Sequence, residues 1–204
     1  ENFQKILVNS KINWLIYLSA TSVYGNHQGR WVDETSELNP TTKNGMSRLN
    51  AEKMWVEFCS KEKLPIQIFR LSGIYSLERN IFERIKSGLQ KIVNKPNHFF
   101  SRIHVEDIAN VLLKSLTNFK SNEIYNISDD KPASSEEVML YAAKILKTNL
   151  PKIIDEQDIE SEMLKNFYKD SKKVSNKKMK KFFSYNLKFP TYIEGLDNIS
   201  DNIT

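Results

Sequence analysis

Short apolar runs alternate with helical patterns along this sequence, and that alternation restricts the fold more than any other feature. The run at residues 14–18 is β-prone and apolar on both faces, as in a strand buried in a parallel sheet. Further strands are predicted at residues 66–71, 102–105 and 123–127. Because helices separate these strands, the sequence predicts a parallel α/β sheet.

Helical periodicity fills the intervals between the predicted strands. It covers the first ten residues, residues 43–61, and an apolar stripe formed by Phe82, Ile85, Leu89 and Ile92. Two further helices have a polar residue placed as an N-cap. Asp107 precedes one, and Ser134 precedes the other with Glu137 three residues later, which is a capping box.

Bulk composition sets the class of protein. The 204 residues are 40% hydrophobic, enough for one globular domain or one domain with a small appendage. Cys59 is the single cysteine, so no internal disulfide forms, which fits a reducing, cytoplasmic location. No segment approaches the roughly 20 apolar residues of a membrane span, and no signal peptide is evident. We expect a cytoplasmic protein without a membrane partner.

Lysines crowd residues 165–188 and account for much of the formal net charge of +5. A basic run of this kind can bind nucleic acid. Here, however, Val174, Met179, Phe182 and Phe183 are interleaved at helical spacing. We therefore favour a solvated lysine face on a docked helix over a nucleic-acid partner.

A series of short motifs occurs in a fixed order. The segment at residues 17–25 ends in Val-Tyr-Gly, and it precedes Val-Asp-Glu-Thr at 32–35 and a helix containing residues 45–52. Arg-Leu-Ser-Gly-Ile-Tyr follows at 70–75, and Arg-Ile-His-Val-Glu-Asp at 102–107. Together they resemble the extended, atypical short-chain dehydrogenases/reductases of the NAD(P)-dependent epimerase/dehydratase family. The resemblance covers nearly the whole chain.

The family binds NAD or NADP through a glycine-rich turn after its first strand, where backbone N–H groups meet the pyrophosphate. No such glycine pattern occurs in this sequence. The resemblance makes residues 14–18 a middle strand of the sheet, so we expect a longer parent protein whose absent part carries the pyrophosphate site. For the cofactor, the resemblance implies contacts from Ser19, Arg48, Ser72 and Gly73.

The resemblance also locates the catalytic positions. Active members use a tyrosine to transfer a proton, a lysine four residues later on the same helix face, and a Ser or Thr that orients the substrate. Alignment places Asn44, Arg48 and Ala20 at these positions. An amide does not titrate usefully, and a guanidinium stays protonated.

Other residues are candidates for the missing roles. Thr21 could replace the hydroxyl absent at Ala20, or could bond its own turn. Tyr24 could supply a phenol near the carboxyl end of a strand, or could be a packed aromatic.

For the substrate, the resemblance suggests contacts from Arg79, Arg102 and His104, each of which has an ordinary structural alternative. No metal-ligand spacing is present, so no metal site is predicted.

The predicted architecture is a Rossmann-like parallel sheet, with its N-terminal half missing, and a small mixed α/β lobe. Residues 1–75 and 102–130 are assigned to the partial cofactor-binding domain, and residues 76–101 and 131–204 to the substrate-binding lobe. The implied function is an NAD(P)-dependent epimerase/dehydratase reaction on a small-molecule or sugar-like substrate, and a homodimer is compatible with it. The altered positions leave a non-catalytic nucleotide- or protein-binding sensor as the alternative, and a nucleic-acid-associated regulator as the third reading.

Overall fold

A computed structural model describes residues 2–88 and 91–203, in which strands and helices alternate as predicted. The strands are β1 (Ile16–Ala20), β2 (Trp31–Val32), β3 (Gln67–Leu71), β4 (Gly73–Tyr75), β5 (Lys91–Asn94), β6 (Arg102–His104), β7 (Glu123–Ile127), β8 (Lys152–Asp155) and β9 (Lys173–Val174). The helices are α1 (Asn2–Asn9), α2 (Lys43–Glu62), α3 (Ile81–Lys86), α4 (Val105–Thr117), α5 (Ser135–Leu146), α6 (Glu162–Lys169), α7 (Lys177–Phe183) and α8 (Tyr192–Ile203). No helix in these two stretches is long and apolar enough to cross a bilayer.

A three-stranded parallel sheet, in the order β1-β3-β7, forms the centre of the fold. The register places Ser19, Arg70 and Asn126 side by side across the three strands. Every residue of the middle strand β3 is buried. The predicted parallel α/β architecture is therefore confirmed, with β1 starting two residues later than expected.

The two faces of the sheet are covered by different helices. Phe69 and Tyr125 face α4 and α7, where they pack against Val111, Met179 and Phe183. Arg70 faces the opposite side, because successive side chains of a strand alternate, and there it meets α2. The lysine-rich segment thus includes a docked helix, as its apolar spacing predicted. The assignment of residues 131–204 to a separate lobe stays a prediction. Within that range, α7 packs on the central sheet.

A second apolar cluster joins β4 to α3, α5 and α8, and includes Phe82, Val138 and Leu196. Tyr75 enters this cluster through a notch at Gly195, where an added Cβ would lie 2.0 Å from the tyrosine hydroxyl oxygen. The strands β5 and β8 pair in parallel beside α6 and form a smaller cluster around Tyr168.

Two local predictions about helices are wrong. The expected stripe of Phe82, Ile85, Leu89 and Ile92 is divided between α3, which ends at Lys86, and β5, which contains Ile92; Leu89 lies outside the described residues. At α4, His104 is the N-cap and its Nδ1 accepts a hydrogen bond from Glu106 N–H at 3.3 Å.

Asp107, the predicted cap, instead anchors the segment before α8. Its carboxylate accepts hydrogen bonds from the Tyr185 hydroxyl and from the backbone N–H groups of Lys188 and Phe189. The Ser134 cap is confirmed, since its Oγ accepts from Glu137 N–H at 2.9 Å.

The two edges of the central sheet differ in how they are covered. At β7, the Glu34 carboxylate accepts the backbone N–H of Asn126 at 2.7 Å. At β1, no further strand pairs with the outer edge within the described part of the chain. A single side chain reaches this strand's backbone there, since Arg48 Nη1 donates to the Leu18 carbonyl at 3.2 Å. Unpaired strand edges of this kind promote association.

We expect the isolated chain to self-associate through β1. Its apparent mass in size-exclusion chromatography with light scattering should rise with protein concentration. Leu18→Lys should weaken this rise, because a charge on an edge strand opposes pairing. Leu116→Lys is the matched control, since Leu116 is also exposed but lies on α4. A monomer peak that is sharp and independent of concentration in the unmodified chain would contradict the prediction.

Candidate functional site

Several predicted site residues meet at the carboxyl ends of the parallel strands, the edge at which open α/β sheets bind ligands. Ser19 and Ala20 end β1, and Ser72 follows β3. The Ser72 N–H bonds the Ile127 carbonyl at 3.0 Å, which holds this residue beside the end of β7. Gly73 is paired with Arg102 in the β4–β6 ladder. The structure therefore brings Ser72, Gly73 and Arg102 together.

A buried polar network lies directly beneath this edge. Arg70 forms three hydrogen bonds with the Glu52 carboxylate: Nε donates to Oε1 at 3.1 Å and to Oε2 at 3.3 Å, and Nη2 donates to Oε2 at 2.8 Å. Arg70 Nη1 also donates to the Tyr24 hydroxyl oxygen at 3.0 Å, and that hydroxyl donates to Asn126 Oδ1 at 2.7 Å. Burial is the largest single influence and lowers the pKa of Arg70, but the hydrogen bonds and charge interactions with Glu52 and Tyr24 together outweigh it, and the pKa of the guanidinium is raised.

The network determines where Tyr24 lies. Its side chain is 0% exposed, and burial raises the pKa of its phenol. Its hydroxyl is engaged by Arg70 and Asn126, so the structure places Tyr24 among the packed aromatics, and its catalytic role stays a prediction. Thr21 opens a single 3₁₀ turn next to Ala20 and is half-buried, with no hydrogen-bond partner among the described residues. Of the Thr21 and Tyr24 hydroxyls, that of Thr21 is therefore the more accessible.

Asn44 and Arg48 lie in the first two turns of α2, on its exposed side. The start of this helix is fixed by Thr42, whose Oγ1 accepts a hydrogen bond from Gly45 N–H at 3.1 Å. Arg48 extends along β1, where Nη1 lies 3.3 Å from the Tyr17 hydroxyl oxygen and 3.2 Å from the Leu18 carbonyl oxygen. Arg48 thus places a permanent positive charge at the open edge of the sheet.

Two of the predicted cofactor contacts have unused hydrogen-bonding capacity. The hydroxyls of Ser19 and Ser72 are buried, and neither has a hydrogen-bond partner in the described stretches. A buried polar group without a partner is costly unless a ligand or water satisfies it. These hydroxyls, with exposed Gly73 and cationic Arg48, fit part of a dinucleotide site. A pyrophosphate cradle is not among the described residues.

The predicted substrate contacts lie in three different environments. Arg102 is half-buried and its Nη1 donates to the carbonyls of Phe100 and Ala133 at 3.1 and 3.0 Å. His104 is buried against Phe189, with 4.1 Å between the two ring centroids, and burial lowers its pKa. Arg79 is exposed in the turn before α3. No described contact joins Arg79 to Arg102 or His104, and the substrate-binding roles of all three residues stay predictions.

Asp129 is a buried acid that the sequence did not single out. It is 1% exposed, and neither carboxylate oxygen forms a well-aligned hydrogen bond with the described residues. Burial raises the pKa of Asp129 well above its ordinary value, while the nearby Arg102 charge and the close amides of Arg102 and Lys131 act in the opposite direction. The same burial lowers the pKa of Arg102. For the Asp129 carboxyl, the loss of hydration on burial therefore outweighs these favourable interactions, and the net pKa shift is upward.

Most lysines of the basic run are engaged with acidic groups. Lys178 pairs with Glu123, Lys180 with Asp130, and Lys188 with Glu106. Lys172 is buried and donates to the Gly25 carbonyl at 2.9 Å. These contacts leave little of the run as an unshielded basic patch. Within the described stretches, no group of three acidic, cysteine or histidine side chains could hold a metal ion.

The parallel sheet, covered by helices on both faces, defines a Rossmann-like α/β protein. Comparison with known proteins is more specific. Residues 5–128 match the sequence model of the NAD dependent epimerase/dehydratase family, and the chain belongs to that family.

Known structures and curated proteins similar to this chain agree with the family. A conserved protein of unknown function from Silicibacter pomeroyi DSS is 39% identical, with a TM-score of 0.88 over 93% of this chain and 67% of its own. UDP-glucuronic acid 4-epimerase from Bacillus cereus, in complex with NAD, is 17% identical with a TM-score of 0.80, over 99% of this chain and 65% of its own, and shows the fold alone. dTDP-D-glucose 4,6-dehydratase from Bos taurus is 28% identical over 76% of this chain and 43% of its own. The chain thus spans less than half the length of this curated relative.

The sequence contained a usable signal for the buried network that our interpretation missed. Gln67 and Arg70 are polar residues inside a strand that is otherwise apolar, and a charge in a buried strand requires a partner. Glu52 follows Ala51 on the helix that packs over this strand. No comparable pattern distinguishes Asp129 from its neighbour Asp130.

Removing the acid of the buried pair should destabilise the fold strongly. Glu52→Gln leaves the Arg70 charge buried without a carboxylate, and the free energy of unfolding should fall by about 3–5 kcal/mol. Glu57→Gln is the matched control on the same helix, because Glu57 is exposed, and its effect should stay within about 0.5 kcal/mol. Urea denaturation measures both. Equal effects of the two substitutions would show that the buried pair is not a source of stability.

The buried carboxyl of Asp129 gives a pH-dependent prediction. Its pKa is raised in the folded state, so the penalty for burying its charge is absent below about pH 4 and grows as pH rises. Asp129→Asn should therefore stabilise the protein at pH 8, and the gain should disappear near pH 4. Asp130→Asn should bring no gain, because Asp130 pairs with Lys180. Destabilisation by Asp129→Asn at pH 8 would mean that an ionised Asp129 stabilises Arg102.

Proposed function

We propose that this chain takes part in an NAD(P)-dependent epimerase/dehydratase or oxidoreductase reaction on a small, sugar-like substrate. The observation that carries the proposal is the pair of buried, unpartnered hydroxyls of Ser19 and Ser72 at the carboxyl edge of the sheet. Family membership and the sugar-nucleotide enzymes among the similar proteins support the same class of reaction. The choice between NAD and NADP is left open.

The residues at the edge have distinct roles in this proposal. Ser19 and Ser72 donate hydrogen bonds to the cofactor, and Gly73 leaves room for it, since this glycine is exposed and carries no side chain. Arg48 supplies a fixed positive charge beside β1 for the ribose end. A bound nicotinamide would supply the hydride-transfer chemistry. Arg102, at the neighbouring β6, orients the substrate together with His104 and Arg79.

The positions that the resemblance assigns to proton transfer carry no group that exchanges a proton at useful pH. Asn44 does not exchange a proton at useful pH, and Arg48 retains its own. Among the candidates named from the sequence, Thr21 has the accessible hydroxyl, while Tyr24 is enclosed in the buried network. Thr21 therefore orients a substrate hydroxyl in this proposal. The rate would then rest on positioning and on hydride transfer.

A non-catalytic binding protein is the second candidate function. It is favoured by the exposed Asn44, which stands where the resemblance places the tyrosine and whose amide does not titrate usefully. A protein of this kind would use the same edge of the sheet to recognise a nucleotide without turnover. Cofactor titration and a hydride-transfer assay separate the two functions.

Restoring the family's acid–base pair provides the direct test. Asn44→Tyr combined with Arg48→Lys should raise the rate of hydride transfer by about 10²–10⁴, the usual contribution of general acid–base help. The measurement is nicotinamide absorbance, on the protein as naturally expressed, with a panel of nucleotide sugars and hydroxy acids.

The matched control is Lys43→Tyr with Arg48→Lys, which puts the phenol one position away and about 100° around the helix. It should leave the rate unchanged. Cofactor binding without turnover in every variant would refute the enzymatic proposal and support the binding protein.

A further inference from the structure

A groove of about 730 Å³ lies on the β7 side of the central sheet, away from β1. It runs between the β2–β9 ribbon, the loop after β7 and the start of α7, and its lining includes Trp31, Asp33, Asp129, Asn176 and Lys177. Its volume is within the range of small-molecule sites. None of the residues assigned above to cofactor or substrate lines it.

The groove has an aromatic wall. Trp31 is 58% exposed, although large aromatic side chains usually bury most of their surface. Its neighbour Val32 is fully buried against Val174, which fixes the ribbon and therefore the position of the indole. The indole N–H has no partner among the described residues. Trp31 thus offers a rigid apolar face with a hydrogen-bond donor at its rim.

Around this wall, hydrogen-bond acceptors and hydrogen-bond donors remain unpaired among the described residues. Asp33 is held by Thr35 and Ser36 through Oδ1, which leaves Oδ2 as a free acceptor. Lys177 is exposed, and its ammonium has no partner in the described part of the chain. Asp129 also lines the groove, but both its carboxylate oxygens are buried, and its neighbour Asp130 is satisfied by Asn176 and Lys180.

This combination discriminates between classes of ligand. A phosphate or carboxylate would be repelled by Asp33 and Asp130, and an organic cation by Lys177 and Lys180. A hydrocarbon would cover the Asp33 carboxylate and the Lys177 ammonium without giving either group a hydrogen bond. A neutral molecule with several hydroxyls meets both donors and acceptors, and its C–H face packs on an indole.

We propose that this groove binds a neutral sugar, with Trp31 as the stacking surface and Asp33 and Lys177 as hydrogen-bonding partners. The site goes beyond the function proposed above and does not require a bound cofactor. It gives the chain a second place, separate from the β1 edge, at which a saccharide is recognised.

Saturation-transfer NMR on the cofactor-free chain tests this proposal, with methyl β-D-glucopyranoside and maltotriose as probes. Both should receive saturation from the protein, and Trp31→Ala should abolish the signal, whereas Trp31→Phe should retain part of it. Lys177→Ala should weaken the dissociation constant by about three- to tenfold, the effect of one hydrogen bond. Lys181→Ala is the matched control, because Lys181 is exposed on the same helix and does not line the groove.

Sodium phosphate and spermidine are tested in parallel. Absence of saturation transfer to both saccharides would overturn the proposal, as would transfer that Trp31→Ala leaves unchanged. Binding of phosphate or spermidine that depends on Trp31, without saccharide binding, would overturn the assignment to neutral sugars. Because no cofactor or turnover enters the measurement, its result is independent of whether the chain supports hydride transfer.

Discussion

The buried contact between Arg70 and Glu52 is the constraint on which the rest of this structure depends. It joins the middle strand of the sheet to α2, and through the Tyr24 hydroxyl and Asn126 it extends to β7. A guanidinium that is 2% exposed is tolerated in an interior only when its hydrogen bonds are satisfied. The network therefore fixes the angle and register of α2 over the sheet, and with them the positions of Asn44 and Arg48.

The residues of this buried network are distinct from those at the predicted catalytic positions. Tyr24, Glu52, Arg70 and Asn126 lie beneath the carboxyl edge, while Ala20, Asn44 and Arg48 lie at or above it. Among the described residues, no side-chain hydrogen bond joins the second group to the first, so the identity of Asn44 and Arg48 can change without disturbing the buried hydrogen bonds. The scaffold of this family therefore does not depend on which residues stand at these two positions.

The sequence allowed prediction of features that depend on local pattern. Apolar runs separated by helices gave the parallel sheet, and the Ser134–Glu137 spacing gave a helix start. Predictions failed where partners are distant in the chain. Asp107 fits a cap by position, but its hydrogen-bond partners are 78 to 82 residues away. For Tyr24 the sequence left both a site phenol and a packed aromatic open, because its partner Asn126 is 102 residues away. The stripe from Phe82 to Ile92 was misread because a short apolar run fits a helix or a strand equally well.

Exposure separates the candidates at the site in a way that motif position does not. Tyr24 and Thr21 occupy neighbouring positions in one motif, yet the first is enclosed by Arg70 and Asn126 and the second faces the carboxyl edge. Ser19 and Ser72 are as buried as Tyr24, but their hydroxyls have no partner, and an unpaired buried donor is the feature that calls for a ligand. Ser19 and Ser72 thus keep unused hydrogen-bonding capacity at the carboxyl edge, whereas the hydroxyl of Tyr24 is engaged in the buried network.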